Sequence, residues 1–495
     1  MKKLSWLPIR SVILALSVLL IAAAVACESG NSTPKPATTE PAVAAGDDAM
    51  VDDGSMKDGD TMVDGDVMPS DDPMMGDDTM MEHSSTMFNV LIENIGTVFD
   101  FSSSGVGGDA PAGPGDLFTF EFDAAPGDSL SFASMFVPSN DFFFAPSEEG
   151  IQLYDDAGVP ISGDVTDQIT LWDAGTEANQ EPGAGSEQPL MNGGASPNTP
   201  DSNGKVRPAE DTFGNLPEVS TVVSVSVNHI DGTKFEATIE NVSTGTTLNT
   251  SGGNASAVPL TPPLWVVHSA TGPLFTNGES DRGEGLEALA ETGSPVKLNS
   301  SVGARTGLTS PIAPGVFAII DGDAQLYVNG QSDQGLGLEA LAEDGSPGEL
   351  AGSLVTKAGL VSSGVFTTPT GATGPAPAFP GDSYEFEFEA IVGDRLSLAT
   401  MLVQSNDLFY APKNGFIELF DSSGNPISGD LTSLFLLWDA GTEVNQAPGA
   451  GADQAPRQSG PNAGETEMGT VAPVADEYTY PDVDAIIRVT ITTQG

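Results

Sequence analysis

Cysteine is almost absent from this chain: one residue, Cys27, in 495. No intramolecular disulfide can form, so the fold must hold by packing and by any bound metal, which a chain of this length can do. Basic residues are scarce, 16 Lys+Arg against 70 Asp+Glu, for a formal net charge of −54. A nucleic-acid partner needs a basic surface, so that class is excluded. A surface of this sign attracts cations and stays soluble in a salty medium. Histidine is limited to His83, His229 and His268. With no free cysteine beyond Cys27 and no clear Ser–His pairing, nucleophilic catalysis has no candidate set. The expectation is a protein that is not an enzyme.

What is abundant is punctuation. The 58 glycines and 37 prolines separate short apolar runs, the pattern of many strands joined by many turns. Phe118, Phe120 and Phe122 alternate with polar residues, as do Tyr384, Phe386 and Phe388. Period-two aromatics mark strands with one buried face. The fold class expected is all-β, an antiparallel sandwich.

The amino terminus reads as an address. Lys2 and Lys3 precede an apolar stretch that ends in Ala24-Val25-Ala26-Cys27, which resembles a lipobox. Residues 1–27 are thus expected to be a lipoprotein signal peptide, with Cys27 acylated and the membrane the first partner. Several acyl chains, each buried CH₂ contributing about 0.8 kcal/mol, anchor stably. Residues 28–86 read as a disordered acidic tether. Met50, Met56, Met62, Met68, Met74 and Met80 fall at every sixth position between aspartate pairs, a period that suits neither helix nor strand. A self-repelling spacer is the favoured reading over a loose cation trap.

The rest of the chain repeats. Leu-Trp-Asp-Ala-Gly-Thr-Glu occurs at 171–177 and again at 437–443. Each copy follows a Ser-Asn-Asp-x-Phe-x-Ala-Pro run, at 139–146 and 405–412, at the same separation. Three carboxylates therefore recur together: Asp141, Asp173 and Glu177, then Asp407, Asp439 and Glu443. Oxygen ligands gathered from loops suit calcium. The alternative is that these aspartates only close Asx turns. A second repeat lies between: 262–291 matches 314–343, each ending in Gly-Leu-Glu-Ala-Leu-Ala-Glu. Leu286 and Leu289, then Leu338 and Leu341, predict short half-buried helices whose glutamates face solvent. One such unit is available to serve the first copy, or the unit is simply duplicated; both options stand at this level.

These residues together resemble the spondin domain family, in a bacterial version. The matching pieces are Phe-Glu-Ala-Thr-Ile-Glu-Asn at 235–241, Pro-Pro-Leu-Trp-Val-Val-His at 262–268, Gly-Leu-Glu-Ala-Leu-Ala-Glu at 285–291, Ser-Asn-Asp at 405–407 and Trp-Asp-Ala-Gly-Thr-Glu at 438–443. The resemblance implies extracellular, C2-like sandwiches that hold calcium. It places the ligands at Asp407, Asp439 and Glu443, and at Asp141, Asp173 and Glu177 in the earlier copy. Glu443 and Glu177 stand where the animal pattern has Asp; Glu also ligates calcium. On this reading the first domain spans 87–231 and lacks the central insert, and the second spans 232–495. The function expected is a lipid-anchored, calcium-binding adhesion or matrix-binding protein of the cell envelope. It would face the exterior, on the outer surface or in the periplasm, with an extracellular polysaccharide or matrix protein as partner. A structural envelope protein without a dedicated ligand is the alternative; a carbohydrate hydrolase built on paired carboxylates is a third.

Overall fold

A computed structural model describes residues 84–193, 198–322 and 324–494. The expected signal peptide, Cys27 and the expected tether as far as His83 lie outside the described residues; Thr86, the last residue of that expected tether, already opens strand Thr86–Asn94. Among those described, no helix is long and apolar enough to cross a membrane. The structure is mostly β, in antiparallel sheets with a few short helices.

Alternation becomes sheet where it was expected. Leu117–Asp123 buries every second residue, and Ser383–Ala390 does the same. Two sandwiches result, each with one four-stranded sheet facing a larger one. In the first, Leu117–Asp123, Lys234–Asn241, Val223–Asp231 and Ser162–Asp164 lie side by side. The facing sheet runs Phe101–Val106, Leu264–His268, Ser129–Met135, Phe142–Pro146, Ile169–Asp173 and Arg207–Pro208. The second sandwich repeats this order. Ser383–Ala390, Thr86–Asn94, Ile487–Gln494 and Gly429–Asp430 form one sheet. Leu360–Phe366, Ile312–Ile320, Arg395–Leu402, Leu408–Pro412, Phe435–Asp439 and Ala472–Pro473 form the other.

The strand partners cross the expected boundary at 231/232. Thr86–Asn94, the start of the expected first domain, pairs with Ser383–Ala390 and Ile487–Gln494 in the second sandwich. Lys234–Asn241, beyond that boundary, pairs inside the first sandwich. The first central unit also joins the first sandwich, since Leu264–His268 lies between Phe101–Val106 and Ser129–Met135. The first sandwich is therefore complete, not truncated, and runs from about Phe101 to Arg305. It is inserted in the second sandwich between strands Thr86–Asn94 and Ile312–Ile320. The cause is local. Gly232, at φ 53, closes a tight turn that folds Lys234–Asn241 back onto Val223–Asp231. A short hairpin forms at small loop-closure cost, so the second sandwich must take its equivalent strand from further away.

Each sandwich core is aromatic. Phe120 stacks on Trp265 at 4.9 Å in the first, and Phe317 stacks on Phe386 at 4.2 Å in the second. Such pairs contribute about 1 kcal/mol beyond their buried area. Helices Leu286–Thr292 and Val296–Gly303 cover the outer face of the first large sheet, packing Leu286, Leu289 and Leu298 with Phe143, Trp172 and Phe275. Leu338–Asp344 and Gly348–Leu354 do the same in the second, against Phe409 and Trp438.

Candidate functional site

Every residue of Ser-Asn-Asp works on a loop. Ser405 accepts from the Leu408 N–H at 3.2 Å and donates to the Leu402 carbonyl, closing the turn between two strands. Asn406 accepts from the Gln446 N–H at 3.0 Å. Asp407 Oδ2 accepts from the Thr442 N–H at 2.8 Å, the Thr442 hydroxyl at 3.2 Å and the Glu443 N–H at 3.2 Å. Asp141 repeats this with Thr176 and Glu177, at 2.8, 3.1 and 3.0 Å. The strands bring the loops together because Leu408 pairs with Asp439, and Phe142 with Asp173.

The second aspartate of each set closes an Asx turn. Asp439 Oδ1 accepts from the Gly441 N–H at 2.7 Å, as Asp173 does from Gly175. Gly441 has φ 67, and a Cβ there would lie 2.6 Å from the Thr470 nitrogen, so glycine is required twice over. The other oxygen of Asp439 accepts from Asn445 at 2.8 Å. That of Asp173 accepts from Asn179 at 2.6 Å and forms an ion pair with Arg207 at 2.6 Å. The arginine has no counterpart in the second copy, where Asp439 lies opposite Ala472. Glu443 accepts from the Gly464 N–H at 2.8 Å, and Glu177 from Asn198 at 2.8 Å.

All six expected site residues thus sit in two matching clusters, with the turn-closing role confirmed alongside. What remains open is a set of buried oxygens. Asp141 Oδ1, Asp407 Oδ1, Asn179 Oδ1 and Asn445 Oδ1 have no hydrogen-bond partner. Asp141 and Asp407 are 0 % exposed. Burial raises both carboxyls to about 7, and the neighbouring Asp173 or Asp439 charge pushes the same way, against the loop donors. Among the described residues no three His, Cys, Asp or Glu side chains converge on one point as a ready metal cage. The donor chemistry nonetheless suits a hard cation, since the orphaned atoms of the second cluster are all oxygens.

A fourth carboxylate escaped the sequence reading. Glu343 does not face solvent, as expected, but is 1 % exposed, with both oxygens unpartnered. Burial raises it to about 8; the Thr442 hydroxyl opposes, while Glu443, Glu339 and Asp407 add to the rise. Glu291 holds the same place in the first copy, half-buried and raised to about 7, chiefly by burial. The signal was available. Glu343 ends a helix whose last turn has no basic residue, where the helix dipole disfavours a negative charge. The tertiary reason is that the helix packs on Phe409 and Trp438, beside the loops.

A Ser–His pair also exists, against expectation. Ser131 Oγ and His268 Nε2 lie 2.8 Å apart, and His268 Nδ1 is 2.7 Å from the Ala270 carbonyl. Both side chains are buried between strands. Burial lowers the His268 pKa and keeps the ring neutral. In the second copy Ser397 donates instead to the Gly415 carbonyl at 2.6 Å, with Ile320 in the histidine's place. The pair satisfies buried polar atoms. Comparison with models of known protein families, and with functionally characterised proteins, finds no match to the chain.

Proposed function

We propose that this chain is a tandem spondin-like protein, lipid-anchored at Cys27, that uses calcium to stabilise an adhesive or matrix-binding surface outside the cell. The observation that carries the reading is the repetition of one buried, oxygen-rich cluster at matching loops of two sandwiches. Asp407, Asp439 and Glu443 would hold one ion; Asp141, Asp173 and Glu177 would hold the other. Asparagine oxygens, backbone carbonyls and water complete the six to eight oxygens calcium takes. The ion would supply positive charge to carboxylates whose ionised forms burial disfavours. Loops at one end of a sandwich are common recognition surfaces. Two copies can engage a polysaccharide or matrix protein bivalently and gain avidity without new contacts.

No catalytic role is proposed. Of the pair a hydrolase would use, Asp439 and Glu443, the glutamate is 1 % exposed, too deep for a polysaccharide to reach. A structural envelope role without a dedicated ligand is the second reading, favoured by the nesting of one sandwich inside the other. Surface display separates the two. Attachment to cells, polysaccharide or matrix should fall in an Asp407→Ala, Asp439→Ala double variant and in chelator. Attachment that survives deletion of 87–495 on every surface tried would leave the structural role.

A further inference from the structure

The two copies share one strand order but are unequal in charge beside the carboxylate clusters. In the second copy Glu343 is 1 % exposed, and neither of its oxygens has a partner. It lines a cavity of about 180 Å³, together with Glu339, Asp344, Glu349, Gly337 and Asn462. That volume admits several waters. No basic side chain lines it. The first copy differs at three of the corresponding points. Thr292 stands for Asp344, Lys297 for Glu349, and Arg207 sits on Asp173 where the second copy has Ala472 opposite Asp439. Glu291, the counterpart of Glu343, is only half-buried.

Taking the calcium reading as its basis, we propose that the copies bind cations unequally. The second site, completed by the Glu343 carboxylate, fills first. In the first site the Arg207 guanidinium stands in for much of the ion's charge. A fixed cation against Asp173 lowers the gain from a mobile one, because both neutralise the same carboxylate. Glu343 adds a ligand charge, and affinity for calcium follows the count of ligand charges. Reaching a cation from the helix would also tie the helical layer to the loops, adding to the hydrogen bonds from Gln458 to Asp344 and from Asn462 to Glu339.

Terbium(III), an oxygen-seeking stand-in for calcium, tests this in the full chain. Trp172 and Trp438 each directly precede a site aspartate and can sensitise a bound ion, whereas residues 28–86 contain no tryptophan to report on the tether. With Trp265 also replaced by Phe, a Trp172→Phe background reports the second site, and a Trp438→Phe background the first. The second site should half-saturate at about tenfold lower terbium. Glu343→Gln should weaken it by about tenfold and erase most of the calcium-induced rise in Tm, with circular dichroism unchanged. Arg207→Gln should tighten the first site without altering the second, an arm that leaves Glu343 untouched. The proposal is overturned if the midpoints coincide, or if Glu343→Gln leaves the second midpoint in place. Asp407→Asn separates the failures. If it abolishes the second-site signal while Glu343→Gln does not, the calcium reading stands and the inequality falls. No sensitised signal in either background would sink both.

Discussion

Asp407 is a structural anchor first, whatever it binds. One of its oxygens takes three donors from the Asp-Ala-Gly-Thr-Glu loop. Asp407→Ala strands those donors and should cost about 2–3 kcal/mol in urea unfolding even with chelator present. Asp407→Asn keeps an acceptor and should cost less, yet lose the response to calcium. An alanine variant as stable as wild type in chelator would rule out the anchor. The pH dependence follows from the same groups. Asp141 and Asp407 at about 7, Glu291 at about 7 and Glu343 at about 8 all hold their protons in the fold above their ordinary carboxyl values. The folded state then binds more protons than the unfolded between roughly pH 4 and 8. Their contribution to stability is full below pH 4 and is lost as pH rises through 7 to 8. Calcium needs the ionised forms, so it should raise Tm more at pH 8 than at pH 6. Thermal scans at both pH values, with calcium and with chelator, check the sign; a larger rise at pH 6 would contradict it.

At the scale of elements, strand exchange makes a sharper claim. Phe88, Val90 and Ile92 are fully buried in the second sandwich, although the next strand in sequence, Phe101–Val106, lies in the first. Ile92→Ala should cost about 2–5 kcal/mol and fall on the second sandwich alone. Tryptophan fluorescence reads this directly: Trp438 should shift at lower denaturant while Trp172 keeps its wild-type midpoint. If Trp172 responds instead, the strand belongs to the other sandwich. The equivalent residue for the first sandwich is Ile239, which pairs with Phe118. Ile239→Ala should move Trp172 and spare Trp438.

For the molecule as a whole, the insertion implies that the outer sandwich can stand alone. Its chain leaves at Asn94 and returns at Ser310, and Asn94 Nδ2 donates to the Ser310 carbonyl at 3.0 Å. Adjacent ends are what a tolerated insertion needs. Contacts between the sandwiches away from this crossing are modest: Ala125 meets Ala447 and Ala450, and Asp128 feels the buried Arg457. Replacing 97–307 by a short Gly-Ser linker should leave a cooperatively folding second sandwich, with the near-ultraviolet signal of Trp438 retained. Loss of cooperative unfolding in that variant would show that the inner sandwich supplies part of the outer core. In the intact chain both carboxylate clusters lie in one compact unit of residues 84–495, so the proposed bivalent binding would draw on two sites in a single body.

Strands, turns and the three loop carboxylates of each cluster were readable from residues alone. Alternation such as Phe118, Phe120 and Phe122 acts over neighbouring positions, and the equal separation of Ser-Asn-Asp from Trp-Asp-Ala-Gly-Thr-Glu forces the same two loops together twice. The assignment of strands to copies was not readable from the motifs. Phe88-Asn-Val-Leu-Ile-Glu-Asn94 and Phe235-Glu-Ala-Thr-Ile-Glu-Asn241 suit either sheet, and what separates them is the short turn at Gly232 acting against a long-range alternative. Glu343 was hidden for a related reason. A helix of Leu338–Asp344 shows an apolar stripe that says it packs, but only the tertiary structure decides which sheet it packs on, and so which of its glutamates loses water.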